Sequence, residues 1–188
     1  MSLTFSKTSI EGLLIVDKKG FGDSRGSFTV DFNYEQFLAQ GVDFSVRQIQ
    51  HSSSKYATIR GLHYQRAQFA QAKYVWVSSG SVFDVAVDLR PGSSTFGQHI
   101  GVILTEDNSK ALYIPRGFAH GFAVLSLDGA TFSYICDNSY SPANEGGLIY
   151  NDATLGIDWQ LDLDTIEVSE KDKAWPTLSE LKINNPFE

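Results

Sequence analysis

The chain has little cysteine, little positive charge and no long apolar run, and each shortage argues against a class of protein. Its 188 residues include a single cysteine, Cys136. Because one thiol cannot form an internal disulfide, we expect a reducing compartment rather than a secreted disulfide scaffold. Lysine and arginine number 15 against 22 acidic residues, a formal net charge of −7, which argues against wrapping a nucleic-acid duplex. No apolar run is long enough to cross a bilayer, and residues 1–12 contain no apolar signal core. The sequence therefore predicts a cytoplasmic protein that binds neither nucleic acid nor membrane.

Several catalytic signatures are missing as well. There is no G-x-S-x-G motif, and Cys136 has no histidine close to it in sequence, so a nucleophilic serine or cysteine is not indicated. The glycine-rich stretch GFGDSRG (20–26) lacks the Gly-Lys-Ser/Thr ending of a phosphate-binding loop. Metal-binding cupin barrels use an H-x-H pair, but His63 is followed by Gln65, and His63 with His120 alone would be a weak site. We expect no metal.

The hydrophobic residues and their alternating pattern predict an all-β protein. Hydrophobic residues make up 42% of the chain, enough for a core within one domain spanning residues 1–188. Short alternating runs separated by turn residues favour a jelly-roll barrel with a few short helices over an immunoglobulin-like sandwich, which would also have many short strands. The predicted elements are strands at 12–19, 27–33, 98–105, 111–117, 120–127 and 131–136, a hairpin at 73–90 with Val85, Val87 and Leu89 on one face, a helix at 34–41 closed by Gly41, and a helix or loop at 169–181.

Polar side chains interrupt these apolar strands. His63 and Gln65 share a face of RGLHYQ (60–65), and Arg60 joins them if a bulge forms at Gly61. The other polar strand residues are Lys73, Asp84, Asp88, His120 and Tyr134. Each alone is better explained as a hydrogen-bonded or solvated strand residue. Together inside one barrel they would cost stability, which indicates a functional cavity.

The chemistry that this set supports is acid–base catalysis. A histidine, with an ordinary pKa near 6.5, accepts protons at neutral pH. A lysine stabilises negative charge that develops on oxygen, and a tyrosine donates a proton from another direction. Such a set suits abstraction of a proton beside a carbonyl and its return on the opposite face, which inverts the carbon. The substrate's own ketone accepts the electrons, so we expect no cofactor.

At the level of whole segments, the chain closely resembles the dTDP-4-dehydrorhamnose 3,5-epimerases, from about Phe5 to Leu178. The segments that carry the likeness are DSRGSF (23–28), RGLHYQ (60–65), QAKYVWVSSGSVFDVAVDLRPGSSTFG (71–97), YIPRGFAHGF (113–122), NDATLGIDW (151–159) and SEKD (169–172). The resemblance implies a cupin-type jelly roll (a double-stranded β-helix) that is a homodimer without a metal. It implies an enzyme that inverts carbon 3, carbon 5 or both of a nucleotide-linked 4-keto-6-deoxyhexose. The default product is dTDP-4-dehydro-6-deoxy-L-mannose, for lipopolysaccharide O-antigen or another surface glycan.

The resemblance also implies a role for individual residues. His63 corresponds to the general base, Asp172 to its partner, Lys73 to the residue that steadies the enolate oxygen, and Tyr134 to the acid. Tyr140 corresponds to the residue that stacks on the nucleobase. The remaining predicted contacts with the nucleotide sugar are Arg25, Gln48, Gln50, Arg60, His120, Glu145 and Lys171.

Three positions depart from the family pattern and leave alternatives open. Val30 and Gln50 replace a glutamate and an asparagine in the nucleotide-binding part, so the base is thymidine by default and cytidine as the alternative. Ile135 replaces a lysine beside Tyr134, which bears on whether one or both carbons invert. Two other functions remain open: a 3,4-ketoisomerase, and a sugar-binding jelly roll without turnover.

Overall fold

The structure, a computed structural model, describes residues 2–181. Within that range the chain forms fourteen strands and two short α-helices. The helices are α1 (Tyr34–Leu38) and α2 (Glu170–Lys173). The strands are β1 (Leu3–Lys7), β2 (Leu14–Lys18), β3 (Phe21–Asp23), β4 (Gly26–Phe28), β5 (Gln48–Ser54), β6 (Thr58–Gln65), β7 (Lys73–Ser79), β8 (Ser81–Asp88), β9 (His99–Thr105), β10 (Lys110–Ile114), β11 (Phe118–Val124), β12 (Ala130–Cys136), β13 (Glu145–Gly147) and β14 (Glu167–Val168).

Two antiparallel sheets carry the fold. The first has the order β1-β2-β10-β7-β12-β5, and the second has the order β13-β6-β11-β8-β9, with β14 added in parallel beside β6. The core between them includes Val75 of β7, Ala86 of β8 and Phe132 of β12, which come from both sheets. The predicted all-β jelly roll with a few short helices is confirmed. None of the described helices is both long and apolar enough to traverse a lipid bilayer.

The central strands β8 and β11 of the second sheet are buried on both faces. Val85, Val87 and Leu89 lie on one face, as predicted, and pack in the same cluster as Trp159 and Leu148 from the chain that follows the sheet. The neighbouring Ala86 points to the opposite side, into the core between the sheets. This double burial explains why β8 reads as an almost continuous apolar run in which two aspartates stand out.

The predicted hairpin at 73–90 is wrong. Its two strands exist as β7 and β8, but β7 pairs with β10 and β12 in the first sheet, whereas β8 pairs with β9 and β11 in the second. Gly80, at a φ of +81°, marks the corner where the chain passes from one sheet to the other. Two alternating runs and a short turn look the same in sequence whether the strands pair or change sheets.

The other local predictions are partly confirmed. α1 begins after Asn33, whose side chain accepts a hydrogen bond from the Gln36 amide, and Gly41 follows it at a φ of +78°. The strand predicted at 27–33 ends at Phe28, and Phe32 instead packs against Phe37 of α1, with 4.9 Å between ring centroids. In 169–181 the helix is confined to α2.

A bulge in β6 positions the first polar segment. His63 pairs with His120, and Arg60 pairs with Phe122. Between these two pairs β6 contains two residues and β11 contains only one, so β6 has one extra residue. The extra residue brings Arg60 onto the same face as His63, as the bulge at Gly61 predicts. Both side chains line one cavity.

Candidate active site

Two cavities meet at His63, which lines both. The larger, about 580 Å³, is bordered by Arg60, Lys171 and Asp172. The smaller, about 270 Å³, lies between the sheets. Its lining residues are Gln50, His63, Tyr64, Gln65, Gln71, Lys73, Tyr134, Tyr140 and Glu145. The structure therefore gathers most of the predicted site residues around one imidazole.

His63 forms a tight pair with Asp172. Its Nε2 lies 2.7 Å from Asp172 Oδ1, and the histidine side chain is 25% exposed while the aspartate is 4% exposed. Asp172 is held in place by α2, because Ser169 caps that helix by accepting from the Asp172 amide at 3.1 Å. The Gly61 amide donates to the other carboxylate oxygen at 3.3 Å. Because Nε2 faces the aspartate, the other ring nitrogen, Nδ1, is left to accept a proton.

The electrostatics of Asp172 suit this arrangement. Burial alone would raise its pKa, but the hydrogen bond and charge of His63, with smaller contributions from Gly61 and Lys171, hold the pKa below its ordinary value. An ionised carboxylate beside the ring stabilises the imidazolium that forms when the histidine takes up a proton.

Lys73 and Tyr134 face His63 from the other sheet. β7 and β12 are adjacent, with Lys73 opposite Cys136 and Tyr134 opposite Val75. Burial lowers the pKa of Lys73. Burial also raises the pKa of Tyr134, with a further contribution from Cys136, so the phenol keeps its proton at neutral pH. The smaller cavity thus has a proton acceptor on one wall and a protonated phenol with an amine on the opposite wall.

A hydrogen-bonded rim surrounds the mouth of the smaller cavity. Gln48 Nε2 donates to Gln50 Oε1 at 2.5 Å, and the Tyr140 amide donates to Gln48 Oε1 at 3.0 Å. The Tyr140 hydroxyl donates to Glu145 at 2.9 Å, and Lys171 Nζ contacts both Glu145 oxygens at 2.9 and 3.0 Å. Burial would raise the pKa of Glu145, but Lys171 and Tyr140 bring it below its ordinary value. The rim therefore leaves the ring of Tyr140, 47% exposed, at the entrance.

Arg60 is one of the cations beside the larger cavity. It is exposed, and its Nε donates to Ser54 Oγ at 2.9 Å. With Lys55 and Lys171 it gives this cavity three positive side chains, which suit an anionic group such as a phosphate.

The structure brings two predicted contacts neither to these cavities nor to the rim. His120 is 7% exposed and lines neither of them; its Nε2 lies 2.8 Å from Asp84 Oδ2. Burial lowers the pKa of His120, so the ring is neutral at pH 7. Arg25 lies on the β3–β4 hairpin with its side chain 87% exposed and pairs with Asp23 at 2.7 Å. An alternating pattern cannot show that His120 sits behind the cavity wall, or that the arginine projects away from it.

Two residues that shape the site have no individual role predicted from the sequence, although both are among the polar strand residues named above. Asp84 is fully buried beside His120, and its signal was a charge within the apolar run VFDVAVD. Gln65 Oε1 accepts from the Ser141 amide at 3.0 Å and thus holds the segment next to Tyr140. Among residues 2–181, no group of three or more metal-ligating side chains is arranged to hold a metal ion.

The two-sheet topology and the polar cavity between the sheets define a cupin-type jelly roll with an acid–base site. A family model described as dTDP-4-dehydrorhamnose 3,5-epimerase matches residues 7–180. The chain belongs to the dTDP-4-dehydrorhamnose 3,5-epimerase family.

Individual relatives agree with this assignment. The chain is 46% identical over 177 residues to the dTDP-4-dehydrorhamnose 3,5-epimerase of Salmonella typhimurium, covering 93% of this chain and 94% of the relative. It is similar, at 42% identity and a TM-score of 0.91, to the crystal structure of dTDP-6-deoxy-D-glucose-3,5-epimerase from Legionella pneumophila in complex with dTDP-4-keto-L-rhamnose, covering 96% of this chain and 95% of that one. It is also similar to the 3′-monoepimerase ChmJ of Streptomyces bikiniensis in complex with dTDP-quinovose, at 36% identity and a TM-score of 0.84, covering 92% of this chain and 86% of that one.

Proposed function

We propose that this protein is an epimerase that inverts carbon 3, carbon 5 or both of a dTDP-linked 4-keto-6-deoxyhexose. One observation carries the proposal above the others: His63 and Tyr134 come from opposite sheets and open into the same cavity, with Lys73 on its wall. A sugar ring held there has a base on one side and an acid on the other. In this proposal residues 1–188 act as one epimerase domain.

The proposed reaction begins with proton abstraction. His63 takes the proton from the carbon next to the ketone through Nδ1, while Asp172 holds Nε2–H and stabilises the resulting imidazolium. The electron pair moves into the carbonyl to give an enolate. The Lys73 ammonium stabilises the negative oxygen. Tyr134 then donates its phenolic proton to the opposite face of the carbon, which inverts it. The next substrate requires reprotonation of Tyr134 and deprotonation of His63 by solvent.

The nucleotide is proposed to lie along the larger cavity and the rim at the mouth of the smaller cavity. Arg60 and Lys171 would neutralise the pyrophosphate, since local cations outweigh a net charge of −7 at short range. Tyr140 would stack on the base. Gln48, Gln50 and Glu145 are assigned to the nucleotide sugar because they form or support the rim around that ring.

A homodimer is part of the proposal. The β3–β4 hairpin exposes two aromatic rings, Phe21 at 52% and Phe28 at 58%, together with Arg25. Aromatic residues and arginine are enriched where proteins contact one another. We propose that this hairpin packs on a second copy, where Arg25 would reach a nucleotide that it does not approach within its own protomer. A cytoplasmic location remains a prediction from the sequence.

Solvent exchange tests the function. The protein is incubated with dTDP-4-keto-6-deoxyglucose in deuterated water, and carbons 3 and 5 are followed by NMR, with the cytidine analogue in parallel. Deuterium at both carbons identifies a 3,5-epimerase, and deuterium at one identifies a single-site epimerase. A carbonyl signal that moves from carbon 4 to carbon 3 would identify a ketoisomerase instead. No deuterium at either carbon with either nucleotide would reject the proposal.

A further inference from the structure

Asp84 is a buried carboxylate whose hydrogen bonding is incomplete. It is 0% exposed, and its Oδ2 accepts from His120 Nε2 at 2.8 Å. Its Oδ1 is buried and has no hydrogen-bond partner among residues 2–181. A polar oxygen removed from water without a partner costs free energy, so its retention calls for an explanation.

Asp88, on the same strand, shows what a structural carboxylate looks like in this protein. It is also 0% exposed, but both of its oxygens are bonded. Arg90 donates to Oδ1 and Oδ2, and Ser93 and Thr95 both donate to Oδ2 at 2.7 Å. Fold stability explains Asp88, whereas it leaves the free oxygen of Asp84 unexplained.

Asp84 and Lys73 both face the interior between the two sheets. Asp84 shares a face of β8 with Ala86, Lys73 shares a face of β7 with Val75, and Ala86 and Val75 pack in one cluster. The charge of Asp84 opposes the decrease that burial causes in the pKa of Lys73. Asp84 accepts a hydrogen bond from His120. The His120 ring stacks on the ring of Phe132, with 5.8 Å between ring centroids, and the rings of Phe132 and Tyr134 are 5.7 Å apart, also between centroids. His120 and Phe132 therefore connect Asp84, on the second sheet, to Tyr134 on the first sheet.

Few other groups can balance the charge of Lys73. The titratable groups around it are Cys136 and Tyr134 on β12, Asp84 on β8, His120 on β11, His63 and Tyr64 on β6, Glu145 on β13 and Tyr140 in the segment before β13. Burial raises the pKa of the Cys136 thiol, which is therefore neutral at pH 7. Glu145 already pairs with Lys171 at 2.9 Å. Asp84 is the carboxylate in this set that no cationic side chain pairs with.

We propose that Asp84 is a positioning residue for the reaction proposed above: its carboxylate keeps the Lys73 ammonium charged inside the cavity and holds the His120 ring with Nε2–H directed towards it. Without this negative charge the half-buried amine loses its proton more readily, and the enolate oxygen then faces a neutral amine. The inference rests on the proposed function for its catalytic consequence, but the effect of Asp84 on Lys73 does not require turnover.

The charge of Lys73 can be titrated directly. Brief labelling with acetic anhydride across a pH series, followed by peptide mass spectrometry, reports the fraction of Lys73 that is neutral at each pH. In the wild type we expect Lys73 to be mostly charged at pH 7.5. In the near-isosteric variant Asp84→Asn the titration should move to lower pH by about one unit or more, as expected for loss of a nearby opposite charge.

Asp88→Asn is the matched control, since it also removes a buried carboxylate from β8 but leaves Lys73 untouched. Its Lys73 titration should coincide with that of the wild type. Coincident titrations in Asp84→Asn and the wild type would overturn the inference. So would a wild-type Lys73 that is already neutral at pH 7.5, a result that does not depend on whether the variant folds.

Turnover supplies the second readout. In Asp84→Asn the alkaline limb of the kcat profile should move to lower pH, with KM for the nucleotide sugar within about twofold, because Asp84 does not line the cavities. A structural role alone would lower kcat equally at every pH and would also reject the inference. If the wild type shows no exchange at all, the proposed function fails, while the labelling experiment still decides whether Asp84 controls the charge of Lys73.

Discussion

The two His–Asp pairs of this protein are alike in geometry and differ in environment. The His63–Asp172 distance is 2.7 Å and the His120–Asp84 distance is 2.8 Å, and the two histidines are cross-strand neighbours. The His63 side chain is 25% exposed and lines two cavities, whereas that of His120 is 8% exposed and lines neither. An imidazole that meets the cavity can exchange a proton with a substrate, whereas one behind the wall can act only through its neighbours. The accessibility of the imidazole to the cavity, rather than its pairing with an aspartate, therefore distinguishes the proposed base His63 from the supporting residue His120.

The largest expected effect comes from removing the accessible imidazole. In His63→Ala we expect deuterium exchange at carbons 3 and 5 to fall by about 10²–10⁴-fold, the usual contribution of a general base. Proton NMR of the keto sugar in deuterated water measures the rate. His51→Ala, which removes an exposed histidine from β5, should keep the wild-type rate. Exchange in His63→Ala within about threefold of the wild type would remove the distinction between the two pairs, since neither histidine would then be the base.

A smaller and more selective effect is expected at Tyr134, on the cavity wall opposite His63. In Tyr134→Phe the phenolic proton is lost while His63 remains, so exchange should continue at about one-tenth or more of the wild-type rate. Inversion requires the donor on the opposite face and should fall by about 10²-fold. NMR follows both quantities in one sample, as deuterium content and as the ratio of the two sugar epimers. Equal loss of exchange and inversion would contradict this division between the walls.

Much of the site could be predicted from the sequence because strand periodicity determines which side chains share a face. The shared face of His63 and Gln65, the position of Lys73 at the start of a strand and the bulge that admits Arg60 are all local features of β6 and β7. The resemblance to a family supplied Asp172, which is 109 residues from His63 in sequence. Periodicity alone gives no reason to pair them.

What the sequence did not predict depends on sheet membership. The hairpin at 73–90 was wrong because the chain changes sheets at Gly80. The same change makes Lys73 on β7 and Asp84 on β8 face the interior from opposite sheets. The burial of His120 and the outward position of Arg25 likewise depend on which elements cover each strand. Alternation identifies the two faces of a strand, but not what lies against them.

The smallest expected effect is a difference between the two pairs in the pH dependence of stability. Burial lowers the pKa of His120 in the folded protein, whereas in the unfolded chain a histidine titrates near pH 6.5. As pH falls through that value, His120 becomes protonated in the unfolded chain but stays neutral in the folded protein. The free energy of unfolding therefore decreases. The pKa of Asp172 is lowered instead, mainly by His63 acting against burial, so its contribution is lost only below about pH 4, the ordinary range of an aspartate.

Urea unfolding between pH 7.5 and 5.5, compared between the wild type and a variant at His120, therefore measures the contribution of the buried pair. In His120→Gln, whose amide can still donate to Asp84, the decrease in the free energy of unfolding over this range should be smaller than in the wild type. His51→Gln removes an exposed histidine and should leave the wild-type decrease unchanged. If His120→Gln shows the full wild-type decrease, His120 takes up its proton equally in the folded and unfolded states. Burial would then not hinder protonation of His120, and the contrast between the buried pair and the accessible pair would not hold.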